Sequence, residues 1–568
     1  MSRLQRVLSS VGGAAILAAG AFTSAQAQSQ VATPQALPSR QELNPATRAA
    51  PPVPHGDRDL FSIAPSGPCP LSESALTFTL KSVVFSGATA DQQAALTYAY
   101  AADVGRTIPV SEICAIRDTA SRILFNRGIL ARVEIPEQRI ADGNVRMEVI
   151  EAKIVNVRVR GDAGPVQDLV ESYVDKLRGL TPFDLNKAQR YLLLASDLPG
   201  VKIQAAIRPS TTSTDRGAVD IDVTVRREDY DAIFNVQNLG SEPVGRWGGL
   251  VRGDLNSFTR LGEQTSLTLY SVLDSDEQRV IQFVETAHFG SEGLAGRLSL
   301  VYGETQPGGV LKPLALDSTA FVGEGELSYP LIRARRRNLS IAGGFDWVDQ
   351  KTEVGTAGVL TDESLRIFYL RADGDIRPWV ADRPLQIEGS LELLKGIEGL
   401  GSSKAGEFTL SRFDGHPDAF VVRARGAAEY ALASKFALRG TFQAQYANEA
   451  LLSYEEMPVG DLTIGRGYDP SSVSGDKGIA GSIEGKFGPW RVTPKVLMAP
   501  YVFYDAARVS NYDVGSIDQT LTSAGVGVRV RLSDWFTFDL AYAHPFDRIA
   551  PSLPKPDPRI LVSLTARF

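Results

Sequence analysis

The stretch Leu385-Gln386-Ile387-Glu388-Gly389-Ser390-Leu391-Glu392-Leu393 decides the fold. Aliphatic residues and a glycine hold the odd positions, while amide, acid and serine hold the even ones. A period of two belongs to a β-strand, whose successive side chains point to opposite faces. An apolar face opposite a charged one places the strand between lipid and water. Outward from this stretch the pattern repeats. Leu298, Leu300 and Tyr302 alternate with Arg297, Ser299 and Val301, and Leu438, Phe442, Ala444 and Tyr446 with Arg439, Thr441, Gln443 and Gln445. Val526, Val528, Val530 and Leu532 interleave with Arg529 and Arg531, and Phe536, Phe538 and Leu540 with Thr537 and Asp539.

Turns of Gly, Asn, Asp and Ser of uneven length separate these segments. Strands near ~10 residues are expected, enough to cross ~25 Å when tilted. Phe345/Trp347 and Tyr501/Phe503/Tyr504 are expected at strand ends, as aromatic girdles. The chain closes on Ile560, Val562, Leu564, Ala566 and Phe568 at every second position. A soluble β-sandwich or β-helix shares the alternation. Strand length, aromatic placement and the terminal pattern favour a transmembrane antiparallel β-barrel over residues 229–568. At about 21 residues per strand and loop, it holds roughly 16 strands, although spacing alone admits ~14 or ~18.

A barrel explains otherwise bland totals. The 568 residues are 43% hydrophobic and 22% charged, with a mean hydropathy of −0.07, values that exclude a polytopic helical membrane protein. They are the average of two opposite strand faces. Lys+Arg 59 against Asp+Glu 66 gives −7, which argues against nucleic acid as a partner.

The first residues read as an address. Arg3 and Arg6 precede an apolar run from Val11 to Phe22 that ends in Ala25-Gln26-Ala27. A basic start, short apolar core and small-x-small site make a signal peptide over 1–27, cleaved before Gln28. Its loss of two arginines and no acid takes the net charge from −7 to −9. Residues 28–68 form a Pro-rich linker, stiffest at Pro51-Pro52-Val53-Pro54, with at most a short helix around Arg40–Arg48. Export permits a disulfide between Cys69 and Cys114, the only cysteines. Closing that loop would stabilise by about 4 kcal/mol; two unpaired buried thiols are the alternative.

Residues 69–152 and 153–228 carry the same element order twice. In the first, Thr77–Ser86 alternates as a strand, Ala90–Ala102 and Ile113–Leu124 have helical spacing, and Ile129–Ile135 and Asn144–Ile150 read as strands. In the second, Lys153–Arg160 precedes helices near Val166–Leu177 and Leu185–Leu194, then strands Val201–Ile207 and Val219–Arg226. Both are β-α-α-β-β, an α+β arrangement.

That order resembles a POTRA domain, with Leu124-Phe125-Asn126-Arg127-Gly128, Ile135-Pro136-Glu137-Gln138 and Asp142-Gly143 as the local match. The Pro-Glu-Gln element is similar to the first POTRA of two-partner secretion transporters of the FhaC/ShlB type. Residues 153–228 resemble the second. The resemblance implies sixteen barrel strands, with both POTRA domains periplasmic and the barrel in the bacterial outer membrane. Phe568 resembles the closing aromatic of the signal read by the barrel assembly machinery, a partner during biogenesis alongside outer-membrane lipids.

Ile464-Gly465-Arg466-Gly467-Tyr468-Asp469-Pro470 lies in a long Gly/Ser/Asp segment between strands. Glycines flanking an arginine suit a tight loop tip, from which Arg466 can reach a carboxylate bidentately. An exposed loop arginine is the plainer reading. The segment resembles the V-R-G-F/Y tip of a long sixth external loop that folds back into the barrel in this superfamily. Arg466, Gly467 and Tyr468 match, and Gly465 replaces Val. Phe503-Tyr504-Asp505-Ala506-Ala507 resembles the partner motif F-x-D-x-G, with Ala507 in place of Gly. The resemblance implies an Arg466–Asp505 ion pair that holds the loop inside.

No enzyme motif survives inspection: H-E-x-x-H, G-x-S-x-G and a complete Walker A are absent, and His55, His288, His416 and His544 lack ligand spacing. No catalytic residue, metal site or cofactor is therefore expected, and the four histidines read as surface or loop residues. Arg333, Arg335, Arg336 and Arg337 form the densest basic run, read as a solvated periplasmic turn, with contact to lipid head groups or an incoming chain as the other possibility. The family's partner is a secreted exoprotein of adhesin or haemolysin type, arriving unfolded. An exposed POTRA edge at Leu130, Arg132 and Glu134 is the expected site of strand addition, and the linker is a candidate pore plug. Two other functions stand beside secretion: an outer-membrane protein or autotransporter assembly factor, and a porin-like solute channel.

Overall fold

The computed structural model describes residues 39–44, 61–63, 69, 71–72, 74–140, 142–180, 183–273, 276–460, 463–512 and 518–568. The signal peptide 1–27 and most of the linker lie outside the described residues. A short strand β1 (Phe61–Ile63) precedes the first module. There, Thr77–Ser86 divides into β2 (Thr77–Thr79) and β3 (Ser82–Ser86), because the chain changes partner: β2 pairs antiparallel with Thr107–Pro109 and β3 parallel with Asn144–Glu148. Helix α1 (Ala90–Leu96) starts at a Thr89/Gln92 capping box and is shorter than its periodicity predicts, ending in two 3-10 turns. Strand β4 (Thr107–Pro109), helix α2 (Glu112–Asn126), β5 (Ala131–Glu134) and β6 (Asn144–Glu151) complete the module. The sheet order is β3-β6-β5, with Phe85, Ile113, Ile116, Leu124 and Met147 in the core between sheet and helices. Cys69 and Cys114 are joined, Cα atoms 5.8 Å apart, so the end of the linker is tied to α2.

The second module runs β7 (Lys153–Asp162), α3 (Gln167–Arg178), α4 (Leu185–Ser196), β8 (Val201–Pro209) and β9 (Ala218–Arg227). Its sheet has four strands, because β1 adds in parallel at the β8 edge with Phe61 opposite Ala205 and Ile63 opposite Ile207. A strand of the chain's own linker therefore covers what would otherwise be an open sheet edge.

The barrel begins immediately after β9. Its first eight strands are β10 (Tyr230–Gln237), β11 (Gly248–Asn256), β12 (Gln264–Val272), β13 (Gln278–Phe289), β14 (Leu294–Thr305), β15 (Leu316–Arg333), β16 (Arg337–Val354) and β17 (Gly358–Ile376). They continue as β18 (Arg383–Gly396), β19 (Phe420–Ala433) and β20 (Phe436–Ala447). A small ribbon of β21 (Met457–Val459) and β22 (Val473–Gly475) stands apart from the wall. The wall resumes with β23 (Lys477–Phe487), β24 (Val496–Ser510), β25 (Gln519–Leu532), β26 (Phe536–Pro545) and β27 (Arg559–Arg567). The closed barrel thus has sixteen antiparallel strands, two short segments at Trp379–Val380 and Trp490–Thr493 only extending hairpins. Closure joins β10 to β27 from Ile233–Arg567 to Gln237–Ser563. Asn235 reinforces that seam by donating to Ser563 Oγ and Thr565 Oγ1. Phe568 exchanges backbone bonds with Ala232 and packs its ring against Phe234, Trp535 and Phe536.

The alternation maps as expected: Leu391, Leu393, Leu438, Phe442 and Val526 are exposed on the outer face. The expected aromatic placement is corrected. Strands β15, β16 and β17 have 18, 18 and 19 residues, so Phe345 and Trp347 fall mid-strand. Tyr501 and Phe503 are buried inside the barrel, while Tyr504 faces outward.

The second module docks on the near rim. Lys176 pairs with Glu292 at 2.8 Å, and that carboxylate holds the Lys176 ammonium above its ordinary range. Ser257 donates to Pro199 O at 2.7 Å. Arg333 grips both oxygens of Asp197 at 2.6 and 2.7 Å, so the basic run is not simply a solvated turn.

Candidate functional site: a loop clasped inside the barrel

Between β20 and β23 the chain leaves the wall and folds inward. Its tip is set by Gly465, whose φ of +85° a side chain would strain. Gly467 is needed for closeness, since a Cβ there would sit 2.7 Å from Ser523 Cβ. The tip delivers Arg466 to Asp505 on β24. Nη2 lies 2.7 Å from Oδ1 and Nε 3.1 Å from Oδ2, a bidentate pair. The Gly465 and Arg466 N–H groups add bonds of 3.1 and 3.0 Å to the same Oδ2. Asp505 is 0% exposed, so its charge depends on these donors. The guanidinium carbon stacks 3.5 Å from the Phe503 ring centroid. Ala507, which departs from the expected Gly, sits in a regular ladder between Ala480 and Leu521.

Tyr468 anchors the next turn, donating from its hydroxyl to Thr522 O at 2.9 Å and accepting from Asp547 N–H at 2.9 Å. Asp469 accepts from Arg246 at 2.8 Å, and Arg559 of β27 donates to the Tyr468 carbonyl. The loop is thereby bonded to both sides of the barrel seam.

The network extends past the residues legible in sequence. Arg466 Nη1 also reaches Glu484 at 2.9 Å and Nη2 reaches Ser482 at 2.8 Å. Glu484 is held from below by Arg529 at 2.6 Å, which bonds Asp539 at 2.9 Å. Tyr501 completes the chain on Asp539 at 2.7 Å. A second cluster pins the loop base: Arg412, from the loop after β18, reaches Asp476 at 2.8 Å and Glu456 at 3.2 Å. Asp476 is 0% exposed and also accepts from Leu451 N–H and Tyr512 N–H. Glu484 and Arg529 occupy charged positions of alternating strands, the one signal by which they are recognisable.

A third segment enters the lumen. Ser39–Asn44 form one helical turn closed by a Ser39/Glu42 capping box. Leu43 is buried with Leu365, Tyr369, Leu394, Leu451 and Tyr454. Ser39 Oγ accepts at 2.8 Å from the Ser471 hydroxyl of the inward loop. Arg40 faces Glu392 and Glu455, and also Arg423 and Arg425. Of the expected edge residues, Leu130 packs its side chain into the core of the second module, while β5 stands at the edge of its own sheet. Arg132 pairs with Glu134, which Arg216 of the second module also binds.

A sixteen-strand barrel carrying two β-α-α-β-β modules, with a loop clasped in its lumen, defines a transport barrel of the bacterial outer membrane. The family model for haemolysin secretion/activation proteins of the ShlB/FhaC/HecB type matches residues 217–530, and that for the ShlB-type POTRA domain matches 78–152. The chain belongs to this family of outer-membrane secretion transporters of two-partner systems, with its POTRA domains in the periplasm. The heme/hemopexin transporter protein HuxB of Haemophilus influenzae is 20% identical over 462 residues, covering 78% of this chain and 79% of HuxB. In fold, the chain is similar to CdiB from Escherichia coli, at TM-score 0.62 and 15% identity over 89% of this chain and 94% of CdiB. BamA from Haemophilus ducreyi lacking POTRA domains 1–3 gives TM-score 0.53 at 14% identity, over 86% and 100%.

Proposed function

We propose that the chain secretes one unfolded partner exoprotein, of adhesin or haemolysin type, through its own lumen, and that the arrangement described is the closed, resting state. The observation that carries this reading is the Arg466–Asp505 clasp, which keeps a loop in the path across the barrel. The incoming chain adds as a strand to a POTRA edge by backbone hydrogen bonds. The β8 edge fits this role better than Leu130, Arg132 and Glu134, and its use requires Phe61–Ile63 to leave. Withdrawal of that strand would pull on the same linker that carries the Ser39–Asn44 plug. Folding of the exoprotein outside, at roughly 0.05–0.15 kcal/mol per residue, biases movement outward without nucleotide. HuxB is named for a heme/hemopexin partner, and a partner of that class is one candidate here.

The test joins secretion with crosslinking. Single cysteines at exposed Gln204 on β8 or Arg132 on β5, paired with cysteines along the exoprotein's N-terminal segment in a Cys69→Ser/Cys114→Ser background, should form a mixed disulfide during secretion only from Gln204. Crosslinks confined to β5 would return the docking edge to the first module. Secretion unaffected by exoprotein mutations that block its folding would refute the proposed drive.

A further inference from the structure

The arginine run divides into two roles. Arg333 is committed to Asp197, but Arg336 and Arg337 are exposed, as is Arg383 on the neighbouring turn. None of these three makes an ion pair among the described residues; Arg336 lies 5.9 Å from the Trp379 ring centroid. The two turns are adjacent, since Arg377 N–H donates to Arg336 O at 2.7 Å. Register places the side chains. Arg337 pairs with Ile376, two residues before Leu339 on the lipid-facing row of β16. Arg383 stands two residues before Leu385 on the lipid-facing row of β18. Exposed Leu331, Ile332, Trp379 and Val380 surround them, and Asp382 is the one acid of the β17–β18 turn.

Three guanidinium groups thus rise from the periplasmic limit of an apolar strip, at the depth where phospholipid phosphates lie. The guanidinium fork matches phosphate oxygens, and apolar neighbours accept the upper acyl carbons. We propose that Arg336, Arg337 and Arg383 form a binding surface for the phosphates of anionic phospholipids in the periplasmic leaflet.

The experiment uses the full chain in phosphatidylcholine vesicles with trace spin-labelled phosphatidylglycerol or phosphatidylcholine, read by electron spin resonance as a relative association constant. Attraction of an anionic headgroup is worth on the order of fivefold per arginine at contact. The wild type should prefer phosphatidylglycerol several-fold and lose that preference at 1 M salt. The triple variant Arg336→Gln/Arg337→Gln/Arg383→Gln should fall to parity, and the matching Arg→Lys variant should keep most of the preference. Equal retention by the wild type, or a preference unchanged by salt and in the Gln variant, overturns the proposal. Lost secretion with intact lipid preference in the Gln variant also overturns it, and assigns the arginines to the incoming chain. No partner is present in the lipid measurement, so its outcome is independent of the secretion reading.

Discussion

Replacing Arg466 by Ala removes two bonds to Asp505, one to Glu484 and one to Ser482. Removing one partner of a buried ion pair costs about 3–5 kcal/mol, chiefly because the other charge is left uncompensated. Here Asp505 keeps the backbone N–H donors of positions 465 and 466, and Glu484 keeps Arg529, so the cost falls near the low end. About 3 kcal/mol changes the ratio of clasped to released loop by roughly 150-fold. In planar bilayers the variant should open far more often, and secretion should fall although the barrel still assembles and shows heat-modifiable gel mobility. A bilayer record indistinguishable from wild type would refute the gating role. Arg466→Lys should be intermediate, since one ammonium cannot span Asp505, Glu484 and Ser482 together.

The geometry also sharpens the charge swap Arg466→Asp/Asp505→Arg. Two backbone N–H groups aim at the position of the Asp505 carboxylate, and a guanidinium there meets donors with donors. The carboxylate introduced at position 466 would face Glu484. Rescue should therefore be slight, even though the two residues pair. Full restoration of wild-type conductance would show that net charge, not this hydrogen-bond geometry, holds the loop.

Three other perturbations probe separate parts. Arg412→Met should release the loop base from Asp476 and Glu456, raising cleavage of the 397–419 loop on whole cells while leaving the Arg466 clasp bonded; unchanged cleavage counts against a second pin. Cys69→Ser/Cys114→Ser should destabilise the first module by about 4 kcal/mol, seen as faster proteolysis of residues 74–151 in the full chain, and equal rates would deny the bridge that role. Ser62→Pro should weaken the β1–β8 ladder, because proline lacks the N–H, and tighten binding of the exoprotein's N-terminal segment; weaker binding would mean that β1 helps form the docking site.

The barrel is legible in sequence because alternation is a local property: Leu385–Leu393 needs no partner to reveal its two faces. Arg466 and Asp505 are legible through short motifs. Glu484, Arg529, Arg412 and Asp476 are not, since which lumenal charges meet depends on the stagger between strands and on loops separated by tens of residues. The aromatic reading fails because it supposes strands of uniform length, whereas β15 to β17 extend well beyond the others. The edge position of β5 follows from local pattern, whereas the burial of the Leu130 side chain against the second module does not, because it depends on packing between modules. Phe61–Ile63 is three residues long, too short for periodicity to mark a strand.

The chemistry of the clasps fits a gate better than an apolar plug would. A continuous apolar seal loses about 25 cal/mol for every Å² exposed on opening, with nothing returned by water. The inward loop instead rests on small apolar clusters joined by charges: Asp505, Glu484, Arg529, Asp476 and Arg412. While the loop excludes water, each pair is strengthened by the low local dielectric and each unpaired member is costly, so the closed state is well defined. Once a chain or water enters, the same groups are hydrated, which offsets much of the lost pairing. The wall, held by a closed ring of ladders from β10 around to β27, gains nothing comparable from water. Strong when dry and weak when wet, clasps of this kind would let the loop leave a barrel that does not itself unfold.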